Sequence, residues 1–401
     1  MEILKLLLIF VIMLAVLRFK QPLYVAMLVG IVLGILLYQI PLSQVPGMIQ
    51  KGILSSSTLT MILAFYTITF LQRMLEKRGR LAMAEESIAE LFHSRRVNAM
   101  LTPFLIGMLP SPGAVLISKP IVEKAAGDSL DQTEMAVVTS YYRHITEAFV
   151  PTYASVILAL QLTGISSGAF VLGMLPMVAA LFLIGYVIYV RRIPKMEKRY
   201  SAPDYKKYLT YLVQGIWTIA AAVFMIMAFN WPVYLVIIGL IVVNYFIERF
   251  SFKEIQPFFV SAFEKRLIFI TLAVMVFKEV ITASGVITAL TASMATLPFS
   301  PVIIYALIFF FGSIIAGSQA IIALSLPLAF LTVPNAGLPL LILLMSMTYI
   351  AMQISITHVC LSIVIEAFQV DFSSFVIKSL PIILSFVACC SLYYLLMVAI
   401  L

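Results

Sequence analysis

The chain has 401 residues, of which 63% are apolar and 11% charged, with a formal net charge of +8. With a mean hydropathy of +1.10, that balance excludes a water-soluble globule of this length and leaves no stretch for a separate soluble domain. The sequence therefore predicts an all-α integral membrane protein, and the function must lie in the membrane part.

Apolar segments near the roughly 20 residues that a spanning helix needs recur along the whole chain. The first, 3–18, lacks a basic start and a small-residue cleavage site, so it is read as a retained helix and not a signal peptide. Helices are expected at 22–40 and 54–72. Next, "LAMAEESIAELFHSRRV" mixes apolar and charged positions as an interfacial arm does. The apolar stretch 98–123 is interrupted by Pro110, Ser111, Pro112 and Gly113. Helices at 133–162, 168–190, 208–228, 232–249 and 266–283 follow. A second interrupted stretch, 300–330, carries Gly317, Ser318 and Gln319 at its middle. Helices at 338–365 and 376–400 complete ten spans and two hairpins.

The chain also repeats itself. "PLYVAMLVGIVLGILL" from Pro22 matches "PVYLVIIGLIVVNYFI" from Pro232, "QRMLEKRG" ending at Gly79 matches "KEVITASG" ending at Gly285, and "SPGAVLISKP" from Ser111 matches "SQAIIALSLP" from Ser318. The matches keep the same order at nearly constant offsets, which predicts a duplicated unit of about 200 residues. The first unit, 1–200, holds scaffold helices within 1–75, an arm at 76–97, the hairpin 98–123, a broken helix 133–162 and the helix 168–190. The second, 201–401, holds scaffold helices within 208–283, the hairpin 300–330 and helices 338–365 and 376–400. An odd number of spans per unit inverts the second copy in the membrane.

Loops rich in Lys and Arg, at Arg18 and Lys20, Arg73 to Arg96, Arg191 to Lys207 and Arg249 to Arg266, mark the cytoplasmic side and place both termini outside. The net charge is then a topology signal, and nucleic acid is not an expected partner.

Irregular backbone survives at membrane depth only where protein encloses it or a polar cavity borders it. The tips Ser111, Pro112, Gly113 and Gly317, Ser318, Gln319 are therefore expected to meet near the midplane as ligand-binding elements. The helix after the first hairpin carries "SYYRHITEAFVP", with Ser140, Arg143, Glu147 and Pro151 on one face. A charge at membrane depth costs about 3 kcal/mol on insertion scales, so Arg143, His144 and Glu147 need a reason to be there. One is a self-neutralising Arg143–Glu147 pair. The other is an anion anchor at Arg143, with Glu147 and His144 carrying a coupled proton. The matching helix has a stripe of Ala351, Ser355, His358, Ser362 and Glu366, with Gln353 and Thr357 as further ligands and His358 as the third proton-coupling residue. Lys119 and Glu123 are expected to form a local pair. Cys360, Cys389 and Cys390 show no metal-site spacing and are read as packing residues. No metal and no cofactor beyond a coupling H+ or Na+ are expected.

"LPSPGAV", "YYRHITEAFVP" and "SITHVCLSIV" resemble the domain-of-unknown-function 401 family, often labelled antiporters, within the ion transporter superfamily of gluconate, citrate, arsenite and divalent-anion permeases. The resemblance runs over nearly the whole chain. It implies a dimeric, elevator-type transporter in which the first three helices of each unit form a scaffold, and the hairpins with the helices after them carry the site. Sodium-coupled dicarboxylate members have Ser-Asn-Thr at both tips. This chain has Ser111-Pro112-Gly113 and Ser318-Gln319-Ala320 instead, so neither sodium coupling nor dicarboxylate recognition carries over on these residues.

The expected function is secondary transport of a small, anionic, organic-acid substrate across the cytoplasmic membrane, coupled to H+ or Na+, by a multi-pass homodimer in the bilayer. The alternative is a cation/proton antiporter. An enzyme is not expected, since neither H-E-x-x-H nor G-x-S-x-G occurs. A channel would share the polar path without needing paired hairpins.

Overall fold

The computed structural model describes residues 2–19, 21–80, 94–108, 114–195, 205–229, 231–286, 298–355 and 358–400, with 83, 84, 87 and 91 between them. Nine residues of the expected arm, the first hairpin tip at Ser111, Pro112 and Gly113, and Thr357 lie outside the described residues. No strand occurs among the described residues. The first half of the chain forms α1 (Glu2–Arg18), α2 (Leu23–Leu37), α3 (Val45–Leu54), α4 (Ser56–Lys77), α5 (Arg95–Gly107), α6 (Ala114–Ala126), α7 (Gln132–His144), α8 (Ala154–Thr163) and α9 (Ser167–Ile188). The second forms α10 (Tyr205–Phe229), α11 (Val233–Ile247), α12 (Phe252–Ser261), α13 (Lys265–Ala283), α14 (Pro301–Ala316), α15 (Ser318–Thr332), α16 (Leu338–Met352), α17 (Val359–Phe368) and α18 (Phe372–Ile400).

The element order of the first half recurs in the second, and the packing is reciprocal. Helix α2 packs on α13 and α4 on α11; α3 packs on α13 and α4 on α12; α8 packs on α15 and α6 on α17. Each half thus completes its partner's layer, and one continuous apolar core joins the two.

Four described helices, α4, α9, α10 and α18, are long and apolar enough to cross a membrane. Others, such as α2, α11, α15 and α16, are apolar but have 15 residues. At 1.5 Å per residue they reach about 22 Å, short of a hydrocarbon layer of about 30 Å. Helices α2, α9, α10 and α18 turn large apolar side chains outward, among them Leu36, Leu183, Phe224 and Leu384. An apolar surface of that extent matches acyl chains and not water.

Helices occupy most of the expected segments, four of them with spanning length, and two differences stand out. The segments 45–54 and 252–261 are short amphipathic helices, α3 and α12, that hydropathy alone passed over because neither has spanning length. The segment 133–162 is broken, as expected, into α7 and α8, with a 3-10 turn over Ile145–Ala148 between them. The segment 338–365, expected as one helix, is also broken, between Met352 and Val359. There the Ser355 hydroxyl turns aside to donate to the Ile314 carbonyl at 2.8 Å. The stripe from Ala351 to Glu366 is therefore divided between two elements, and Ser362 and Glu366 are exposed.

Ion pairs tie the end of α4 to the end of α11 and to α12. Arg80 grips both carboxylate oxygens of Glu248 at 2.8 and 2.9 Å, and Arg78 meets Glu254 at 2.9 Å. Hydrogen bonds from Arg78, then from the Ser251 N–H and hydroxyl, pull the Glu254 carboxyl down to about 2.

Candidate functional site

The most buried helices, α7, α15 and α16, converge at the middle of the chain's core. Helix α7 starts firmly, because Asp131 accepts from the Glu134 N–H at 2.8 Å while Glu134 accepts from the Asp131 N–H at 3.1 Å. It ends at His144. The chain then tightens into the Ile145–Ala148 turn, where the Thr146 hydroxyl takes up the Arg143 carbonyl at 3.2 Å. Gly107, at the end of α5, lies so close to that carbonyl that a Cβ would stand 2.0 Å from the oxygen, so only glycine fits. The Tyr153 hydroxyl donates to the Gly107 carbonyl. The limb α5 is thereby fastened to the break in α7–α8 from both sides.

The second hairpin turns through Gly317 alone, at φ +86° and ψ 157°, a region that side chains rarely reach. Helix α15 begins at Ser318 and α17 at Val359, and neither has a side-chain N-cap. Their first N–H groups and positive dipole ends are left for a ligand or for water.

The two breaks touch. The rings of His144 and His358, one from each half, lie with centroids 4.6 Å apart. Glu147 joins them: its Oε1 is 3.2 Å from Arg143 Nη1 and 3.9 Å from His144 Nε2, and its Oε2 is 3.9 Å from His358 Nε2. Glu147, His144, His358, Ser318, Gln353 and Ser155 border a common cavity of about 30 Å³. That space holds an ion or about two waters and excludes a nucleotide-sized ligand.

Most of the expected site residues meet here. Arg143 is 2% exposed and paired with Glu147, and Ser140 supports His144 through its carbonyl at 2.6 Å and its hydroxyl at 3.3 Å. Gln353 borders the cavity, and its buried Nε2 has no hydrogen-bond partner. Gly317 forms the turn and Ser318 faces the cavity, but Gln319 is not among the bordering residues. Lys119 is placed elsewhere. Besides its 3.6 Å pair with Glu123, it donates to the Ala367 carbonyl at 2.6 Å and so caps the C-terminal end of α17.

Cys360 packs in the apolar core, as expected, and also has polar neighbours. It stands in the first turn of α17, and its sulfur belongs to one group with ligand atoms of His144, Glu147 and His358, all within 4.8 Å of one another. Its sequence neighbours are apolar, and the only available signal was its distance of two residues from His358.

The family model described as protein of unknown function (DUF401) matches residues 3–398. No curated protein matches the chain.

Proposed function

The chain belongs to the family of proteins of unknown function DUF401, and we propose that it is a secondary active transporter for a small anionic solute of the organic-acid class. The observation that carries this reading is the meeting of two helix breaks, from equivalent places in the two halves, at His144 and His358 beside the Ser318 end of α15. Broken helices at membrane depth are unfavourable unless protein encloses them or they border a polar cavity, and paired breaks are how inverted-repeat transporters build a ligand site. The reciprocal packing of the halves supports an inverted repeat with two re-entrant hairpins. The scaffold is α1–α4 with α10–α13, and the hairpins with α7, α8, α16 and α17 form the moving part of an elevator in the cytoplasmic membrane, with both termini outside. A homodimer follows from the family resemblance.

Anion preference rests on Arg143, on the unpartnered Gln353 Nε2, and on the uncapped starts of α15 and α17. Coupling to H+ is assigned to Glu147, His144 and His358, and coupling to Na+ to the oxygen ligands of Ser318 and Gln319 at the hairpin tip. A second reading, cation/proton antiport, is favoured by one observation: the Glu147 carboxylate faces two imidazoles within the cavity. Proteoliposomes loaded with carboxylates, inorganic anions or cations, under imposed proton or sodium gradients, separate the readings. Saturable, gradient-driven uptake of a carboxylate is expected. Linear flux with ionic conductance would make the protein a channel, and gradient-driven cation exchange alone would select the antiporter.

A further inference from the structure

We propose that His144, Glu147, His358 and Cys360 form a binding site for a first-row transition-metal dication of the zinc class. The inference names the cation that the junction takes, and it rests on the reading of that junction as a ligand site.

Both imidazoles turn Nδ1 onto a backbone carbonyl, His144 onto Ser140 at 2.6 Å and His358 onto Met352 at 3.2 Å. A carbonyl only accepts, so each Nδ1 holds a proton, and in the neutral ring each Nε2 is then a bare lone pair. Both lone pairs face the Glu147 carboxylate at 3.9 Å. His144 Nε2 is buried and has no hydrogen-bond partner. The two lone pairs and the carboxylate converge on one volume, where Arg143, 3.2 Å from Glu147 Oε1, meets part of the negative charge and a bound cation meets the rest.

The spacing decides which cation. A shared proton would draw nitrogen and oxygen to about 2.7–3.2 Å. A tetrahedral ion with bonds of about 2.0–2.3 Å sets its ligand atoms roughly 3.3–3.8 Å apart. The observed 3.9 Å separations, inside a group spanning 4.8 Å, lie close to the second arrangement. Two imidazoles, a carboxylate and a sulfur form a donor set for zinc-like ions, whereas sodium, magnesium and calcium take oxygen. The Nδ1–carbonyl bonds are the outer contacts that orient metal-bound histidines. Arg143 does the same for the carboxylate by holding Oε1 and leaving Oε2 toward His358. With Cys360 bound as thiolate, its proton released to water, Glu147 and Cys360 balance the two charges of the ion.

The test is a Co2+ titration of the purified full chain in detergent, with gel filtration and far-ultraviolet dichroism confirming that each variant is folded. One cobalt per chain is expected, with visible d–d bands, a near-ultraviolet thiolate-to-cobalt band, and displacement by Zn2+. Cys360→Ser should lose the thiolate band, His358→Gln should weaken cobalt binding by about tenfold or more, and Cys389→Ser should change neither. A thiolate band that never forms, or that survives Cys360→Ser, overturns the proposal. Binding is read without flux, so the two readings fail separately. Cobalt bound with no solute transported removes the transporter and keeps the metal site, and transport without cobalt binding does the reverse.

Discussion

His144 and His358 come from opposite halves of the chain and meet edge to face, with ring centroids 4.6 Å apart and planes at 61°. Neither half can build this contact alone. Arg143 and Glu147 come from the first half, and Cys360 and Gln353 from the second. Changes at the site should therefore read out separately from changes in the scaffold.

Arg143 is buried and paired with a partly exposed Glu147. Arg143→Ala strips a charge partner at depth and should cost about 3 kcal/mol of stability. Arg143→Lys keeps the charge but loses the planar fork, so it should fold like the parent while solute uptake falls by about tenfold or more. Thermal unfolding in detergent beside proteoliposome uptake separates the two effects. Normal uptake by Arg143→Ala would rule out an anion anchor.

Gly317 carries the whole turn between α14 and α15 at φ +86°. Gly317→Ala forces a side chain into that region at a cost of about 1–3 kcal/mol. It should lower the melting temperature and reduce transport together. Gly239, around which added carbon meets nothing, offers the control: Gly239→Ala should leave both unchanged.

The Glu254 carboxyl, pulled down to about 2 by Arg78 and Ser251, makes a pH-dependent contribution at the scaffold end. A depressed acid stabilises the fold above its ordinary value of 4.5, and that contribution is lost as pH falls toward about 2. The melting temperatures of the parent and of Glu254→Gln should therefore differ by a constant amount from pH 6 to pH 8 and converge as the pH falls from about 4.5 toward 2. A gap that widens on acidification would contradict the assignment.

The proposed inverted repeat would place the two hairpin tips on opposite routes to the site. In a background with Cys360, Cys389 and Cys390 replaced by Ser, Ser111→Cys should react with a membrane-impermeant thiol reagent from the cytoplasmic side, and Ser318→Cys from the outside. Reaction of both from one side, with substrate present and absent alike, would count against paired hairpins.

The turn between α14 and α15 was legible because Gly317, Ser318 and Gln319 interrupt an otherwise apolar run. The cluster Arg143, His144 and Glu147 stood out because charge is rare at membrane depth. The break before α17 was not legible: Gln353-Ile-Ser-Ile-Thr-His358 contains neither proline nor glycine. Two β-branched isoleucines and a threonine weaken a helix only by fractions of a kcal/mol each. It is the contact with the Ile314 carbonyl that favours the open backbone there. Cys360 was hidden for a related reason, since a cysteine in an apolar run packs like any small hydrophobe and only the approach of the other half gives it polar company. The short α3 and α12 escaped because a span-length criterion ignores helices of 10 residues.

Gly107 has a last consequence. With its bare Cα against the Arg143 carbonyl and its own carbonyl held by Tyr153, α5 is pinned to the broken helix like a key in a slot, with no play between the two. A displacement of that limb by the width of one methyl group would drag Arg143 with it. The limb cannot swing as an independent flap, so any hinge that exposes the cavity must lie beyond both parts.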